Sequence, residues 1–199
     1  MRISPDQFRS RDLRVHAILH DIPLEDAWAI RLSGGGAGRT ILDVRTALAA
    51  GREAAPAIVQ GLFRLRFAIG AVLGWDRQRP EWKSDSYAHR LSPADRARSL
   101  VRAGTPDGMF SLLYRFDDEQ LGELRNATVR AFLSLSIRPA PDGYLAFLGV
   151  FVQPVHGFTK LYMKAIAPFR RLIVYPAIVR NVERAWVERN GGARPSDTI

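Results

Sequence analysis

Glu123, Arg125 and Tyr114 are the residues whose types and spacing could support a reaction. A carboxylate, a guanidinium and a phenol on one apolar sheet face are costly unless paired, and a carboxylate so placed can act as a general base. Whether they meet depends on register. If Asp117-Asp118 is a two-residue hairpin loop, Phe116 pairs with Glu119, Tyr114 with Leu121, Leu112 with Glu123 and Phe110 with Arg125. Glu123 and Arg125 then lie beside Tyr114 on the apolar face of the first strand, and the chemistry would be of the isomerase, cyclase or hydratase kind. A loop one residue longer turns every side chain over and leaves Glu123 and Arg125 as an exposed ion pair on the outer face. Asp-Asp is a poorer primed turn than Asp-Gly, which favours the exposed arrangement.

Other chemistry finds less support. His16 and His20 would share a helix face, but on a strand they lie about 13 Å apart, too far for one zinc. The chain has no cysteine, and neither a His-Glu-x-x-His nor a Gly-x-Ser-x-Gly motif occurs, so no metal and no acyl-transfer nucleophile is expected. Gly34, Gly35, Gly36 and Gly38 precede Arg39 and follow a polar Ser33 without P-loop spacing, and no helix with an acidic residue about 20 positions on completes a dinucleotide unit. They read as a mobile loop, and no cofactor is expected.

The elements that must position these groups are a meander and a helix. From Met109 the period changes to two, and MFSLLYRF, EQLGELRN, ATVRAFLSLSI and YLAFLGVFVQPV read as four antiparallel strands. In the third, Val129, Ala131, Leu133, Leu135 and Ile137 form a buried row, with Thr128, Arg130, Phe132, Ser134 and Ser136 on a largely wet side. Gly157 to Asn190 has the threes-and-fours period of a helix burying one face. Pro168 suits a first turn, and Pro176 should kink the rod because it has no N–H to give. The fold class is α+β, with an antiparallel curled sheet and the C-terminal helix packed across it.

Ahead of the meander, residues 1–13 read as a polar, loosely attached N-terminal segment. Residues 14–190 read as one domain and 191–199 as a flexible tail. Arg14 to Ile22 reads as a strand, Leu24 to Ile30 as a short helix, and Arg39 to Gly51 as a short strand or helical turn. The stretch from Pro56 to about Trp75 reads as a helix. Residues 75–108 read as a surface excursion in which Ser92-Pro93-Ala94-Asp95 starts a short helix.

The net charge of +9 comes from 26 Arg and 3 Lys against 20 acids. A basic excess favours anionic partners, but the bases number 16 in residues 1–100, 5 in 101–150 and 8 in 151–199, so no run is concentrated enough to bind nucleic acid. From Gly157 to Asn190 there are 7 Lys or Arg and 2 Glu, which makes an acidic membrane surface a second partner to consider. The longest uncharged run, Gly143 to Thr159, has 17 residues and falls short of a bilayer span. With no apolar leader and no cysteine, the expected place is the cytoplasm, with peripheral contact to the inner face of the membrane under that second reading.

DIPLEDAW, GGGAGRTILDV, LYRFDDEQLGELRNATVRAFLSL and FRRLIVYPAIVR resemble segments of a family of uncharacterised bacterial proteins of the START and birch-pollen-allergen-like (SRPBCC-type) helix-grip superfamily. The resemblance spans about Leu13 to Arg184 and supplies no catalytic motif. It implies a cavity between sheet and helix that takes an apolar small molecule or lipid. Phe110, Leu112, Tyr114, Val129, Leu133, Leu135, Leu172 and Tyr175 would line such a cavity.

Overall fold

The computed structural model describes residues 1–53, 86–125, 129–154 and 167–191. They form a six-stranded antiparallel open sheet of order β1-β6-β5-β4-β3-β2, with helices on both faces. The strands are β1 (Leu24–Ser33), β2 (Thr105–Asp107), β3 (Phe110–Arg115), β4 (Glu119–Arg125), β5 (Val129–Ala140) and β6 (Gly143–Pro154). β5 and β6 pair from Val129↔Pro154 to Ala140↔Gly143. The four meander strands are those that the period of two indicates.

One face carries α3 (Ile41–Glu53) and the C-terminal helix α5 (Tyr175–Asn190), which pack on each other and on the sheet. Trp28, Ile30, Leu32, Leu135, Ile137 and Ala146 meet Val44, Val182 and Trp186 there. Burying each such large side chain stabilises by about 1.5–3 kcal/mol. Gly51 lets the two helices touch, since a Cβ there would stand 3.0 Å from the Val182 backbone nitrogen.

The other face is dry too, contrary to the expectation from β5. Phe132, Ser134 and Ser136 are all 0% exposed and Arg130 is 6% exposed. Their cover comes from the N-terminal residues, from α2 (Val15–Ile18) and from a 3₁₀ turn at Tyr87–Arg90. Residues 1–13 are docked rather than loose: Ile3 N–H donates to Ala27 O at 3.0 Å, and Ser4 and Gln7 form a capping box on α1 (Pro5–Arg9). The Phe8 that α1 buries is 0% exposed.

Three further expectations are corrected. Arg14 to Ile22 holds a helical turn instead of a strand, because Glu119 from β4 accepts the backbone N–H groups of Arg14 and Val15. Leu24 to Ile30 is strand instead of helix, where pairing with β6 and burial of alternate residues override acids suited to a helix start. The stretch after Arg39 is a helix of 13 residues. The Ser92 start is as expected, with Ser92 Oγ accepting from Asp95 N–H at the head of α4 (Pro93–Arg98). The helix proposed from Pro56 lies outside the described residues.

Pro176 widens the C-terminal helix. Just before it, Arg170–Val174 forms a π-helical turn in which Tyr175 N–H reaches back five residues to Arg170 O. A proline ring collides with the carbonyl four residues earlier, here that of Leu172, and an expanded turn relieves the contact. Among the described residues no helix is long and apolar enough to cross a membrane.

Candidate functional site

The inner face is fully buried along most of α5 and only partly buried toward the π-helical turn. Along the central strands the cross-strand pairs Ile137↔Ala146 and Leu135↔Leu148 are buried, none more than 6% exposed. The next pair on the same face, Leu133↔Val150, is only partly buried. Tyr175 and Ile178 stand over the same cluster, also partly buried, with the Tyr175 ring 5.3 Å from that of Trp28.

A polar group closes one end of this apolar patch. Asp26, pointing the same way as Trp28 on β1, has a side chain 0% exposed beside two arginines. Arg171 Nε donates to Asp26 Oδ1 at 2.8 Å, and Arg171 Nη2 donates to Glu25 O at 3.2 Å. Arg170 Nη2 lies 3.2 Å from Asp26 Oδ2, close enough for an ion pair. Its angle makes no hydrogen bond, and Asp26 Oδ2, Arg170 Nε and Nη2, and Trp28 Nε1 are buried without a hydrogen-bond partner. Burial, then the nearby Asp26 carboxylate, pushes the Tyr175 phenol above its ordinary range, so it stays protonated as a donor. Buried donors left open beside an apolar patch suit a small molecule with a polar end.

The residues named from sequence fall on two sides of the sheet. Leu112, Leu133 and Leu135 face α5 and the π-helical turn, since Leu112 pairs with Gly122 and Gly122 with Leu133. Phe110 joins them, its side chain over Gly122, where a Cβ would meet it at 3.0 Å. Tyr114 lies in the opposite layer and is 0% exposed. Tyr175 is partly buried at the site, while Leu172 is 76% exposed and turned away. The side chain of Val129 lies outside the described residues.

The hairpin loop has two residues, with Phe116 N–H donating to Glu119 O at 2.7 Å and Tyr114 paired with Leu121. Beyond that a bulge at Leu113 shifts the register, so Ser111 rather than Leu112 faces Glu123. The extra residue puts Leu113 and Tyr114 in one cluster and sends Leu112 and Phe110 to the other face. Glu123 is 7% exposed, not the surface residue that the Asp-Asp turn favoured. Its Oε1 takes Arg130 Nε at 2.6 Å, and its Oε2 takes Ser86 Oγ at 2.8 Å and Tyr87 N–H at 3.3 Å. The Arg130 guanidinium lies 4.2 Å over the Tyr87 ring. Tyr114 donates to Glu119 instead, and Arg125 ends β4 partly buried opposite Arg130. Tyr114 and Glu123 therefore engage different partners, and both face away from α5.

The glycine loop is a clamp. Its backbone oxygens turn inward, Ser33 O taking Trp186 Nε1 at 3.2 Å and Gly36 O taking the Tyr144 hydroxyl at 2.8 Å. Positive φ at Gly34, Gly35, Gly36 and Gly38 makes that path possible. His16 sits in α2 and not on a strand, and among the described residues no three His, Cys, Asp or Glu side chains are gathered to hold a metal.

Asp26, Trp28 and Arg170 were missed as a site. Their signal was the alternation Asp26, Trp28, Ile30, Leu32, which marks a strand with one acid on its buried face. A family profile described as "Protein of unknown function (DUF2867)" matches residues 18–177. No curated protein and no solved structure matches the chain.

Proposed function

We propose that this chain, which belongs to the DUF2867 family of proteins of unknown function over residues 18–177, binds a mainly apolar small molecule or lipid between the sheet and the first turns of its C-terminal helix. The observation that carries the reading is the partly exposed pair Leu133↔Val150 beside fully buried neighbours. Apolar surface left uncovered in mid-sheet is a place where a ligand gains what the protein's own packing does not supply. A START-like helix-grip is the fold reading that goes with it. Trp28, Arg170 and Asp26 would orient the polar end.

The test is native mass spectrometry of the purified protein, followed by titration with a fluorescent fatty ligand. Saturable uptake that is abolished by Leu133→Trp in a folded variant supports the reading. No uptake by the wild type, or full uptake by the filled variant, overturns it.

A second reading, contact with an acidic membrane surface, draws on Phe169 and Leu172, which are 54% and 76% exposed. Arg170 and Arg171 turn inward to Asp26, which removes them from the roughly 1 kcal/mol per base that such a surface offers. Salt-sensitive sedimentation with acidic liposomes would favour it. An enzyme built on Glu123 has the weaker support, because that carboxylate is already engaged by Arg130, Ser86 and Tyr87.

A further inference from the structure

On the sheet face opposite α5, a pocket of about 310 Å³ is lined by Ser10, Arg11, Asp12, Leu13, Arg138 and Phe147. Its two guanidiniums are held differently. Arg138 is committed: Nη1 donates to Asp118 Oδ2 at 2.7 Å and to Ile137 O at 3.0 Å, and Nη2 donates to Asp12 O at 3.1 Å. The Arg11 guanidinium lies over Phe147, its central carbon 3.6 Å from the ring centroid, and its Nε is buried with no hydrogen-bond partner. Burial first, and then the like charge of Arg138, lower the pKa of Arg11 from its ordinary value. A guanidinium stacked on a ring keeps its N–H groups parallel to the ring plane, so they point sideways and not at the aromatic face.

We propose that this pocket is a binding site for a phosphate-type oxyanion, free or as the monoester of a small organic group. A tetrahedral oxyanion has oxygens enough to take the open N–H edge of Arg11, while Arg138 stays paired with Asp118 at the rim. The oxyanion carries close to two negative charges near neutral pH, and these are met by the charge of Arg11, since that of Arg138 is balanced by Asp118. Leu13 and the Phe147 edge give the wall on which an organic group attached to the phosphate would lie. The site is on the other side of the sheet from the proposed apolar ligand and does not depend on it.

Isothermal titration with inorganic phosphate and with glycerol 1-phosphate, against chloride at equal ionic strength, tests the proposal on wild type, Arg11→Met and Arg11→Lys. The expected result is saturable phosphate binding by the wild type, at least tenfold weaker in R11M and intermediate in R11K, which keeps the charge but loses the planar fork. Phosphate should also raise the melting temperature of the wild type and not that of R11M. Vesicles of phosphatidic acid in phosphatidylcholine separate the sources. Arg11-dependent vesicle binding assigns the phosphate to a lipid headgroup, and binding of the soluble ester alone assigns it to a metabolite. A wild type that treats phosphate like chloride, or R11K and R11M with undiminished affinity, overturns the proposal.

Discussion

Glu119 accepts a hydrogen bond from the Tyr114 hydroxyl in a fully buried layer, both side chains being 0% exposed. The same carboxylate takes the N–H groups of Arg14 and Val15, each at 3.0 Å. One acid on β4 thus ties the sheet to α2 and, through α2, to the N-terminal segment. Burial, then the charge of Glu119, holds the Tyr114 phenol well above its ordinary pKa, so it remains a donor.

Glu119→Gln replaces an acceptor by a group that presents its own N–H to one of those donors. The expected cost is about 3 kcal/mol, against about 1 kcal/mol for Tyr114→Phe. For a chain of this length that is a fall of about 6–12 °C for the first variant. Thermal melts monitored by circular dichroism decide it; equal melting temperatures for wild type and E119Q would remove Glu119 from the role of tie.

Leu133 and Leu135 are two apart on one strand, yet should respond unequally. Leu135→Ala leaves a hole in closed core and is expected to cost about 2–5 kcal/mol. Leu133→Ala should cost less than half as much, since its site is already open. Urea midpoints measure both, and a Leu133→Ala loss as large as that of Leu135→Ala would show a closed interior there.

His16 gives the fold a pH dependence. Burial lowers its pKa from 6.5, only partly offset by the Glu119 carboxylate and deepened by Arg9, and its ring meets Phe8 edge-on at 5.6 Å. The unfolded chain therefore takes up a proton at His16 more readily than the folded one. Its contribution is fully present above 6.5 and is lost as pH falls through that value toward the lowered folded pKa. Denaturation midpoints at several pH values from neutral to mildly acidic should decline less in His16→Leu than in the wild type; parallel curves would exclude the residue.

Gly35 and Gly36 separate strain from collision. Both have positive φ, 98° and 68°, but a Cβ on Gly35 would stand 2.9 Å from the Trp186 ring, whereas one on Gly36 meets nothing within 4 Å. Gly36→Ala should cost about 1–2 kcal/mol from backbone strain alone. Gly35→Ala should cost clearly more and shift Trp186 fluorescence. Equal losses would mean that the indole moves aside freely.

Glu123→Gln removes the negative charge from a buried ion pair with Arg130, which is 6% exposed. A loss of about 3–5 kcal/mol is expected by chemical denaturation. Near-wild-type stability would mean that the carboxylate is available for other work.

Local pattern was enough for the parts of this protein that bury one face by a simple period. The alternation from Met109 onward identified β3 to β6, Ser92-Pro93 identified a helix start, and the threes and fours identified the C-terminal helix from Ala167 on, its expected first part from Gly157 lying outside the described residues. Tertiary contacts decided the rest. β1 is a strand because β6 offers it a ladder, and α2 is helical because Glu119, 105 residues after Arg14, accepts its first N–H groups. The bulge at Leu113 inserts one residue into the pairing and so determines which face Leu112 and Phe110 occupy, which no count along the strand reveals. The Asp26, Trp28 and Arg170 group joins residues more than 140 positions apart, and sequence records each as an ordinary acid, aromatic or base. Their burial together follows from a helix crossing a sheet, and burial is what leaves their hydrogen-bonding groups open.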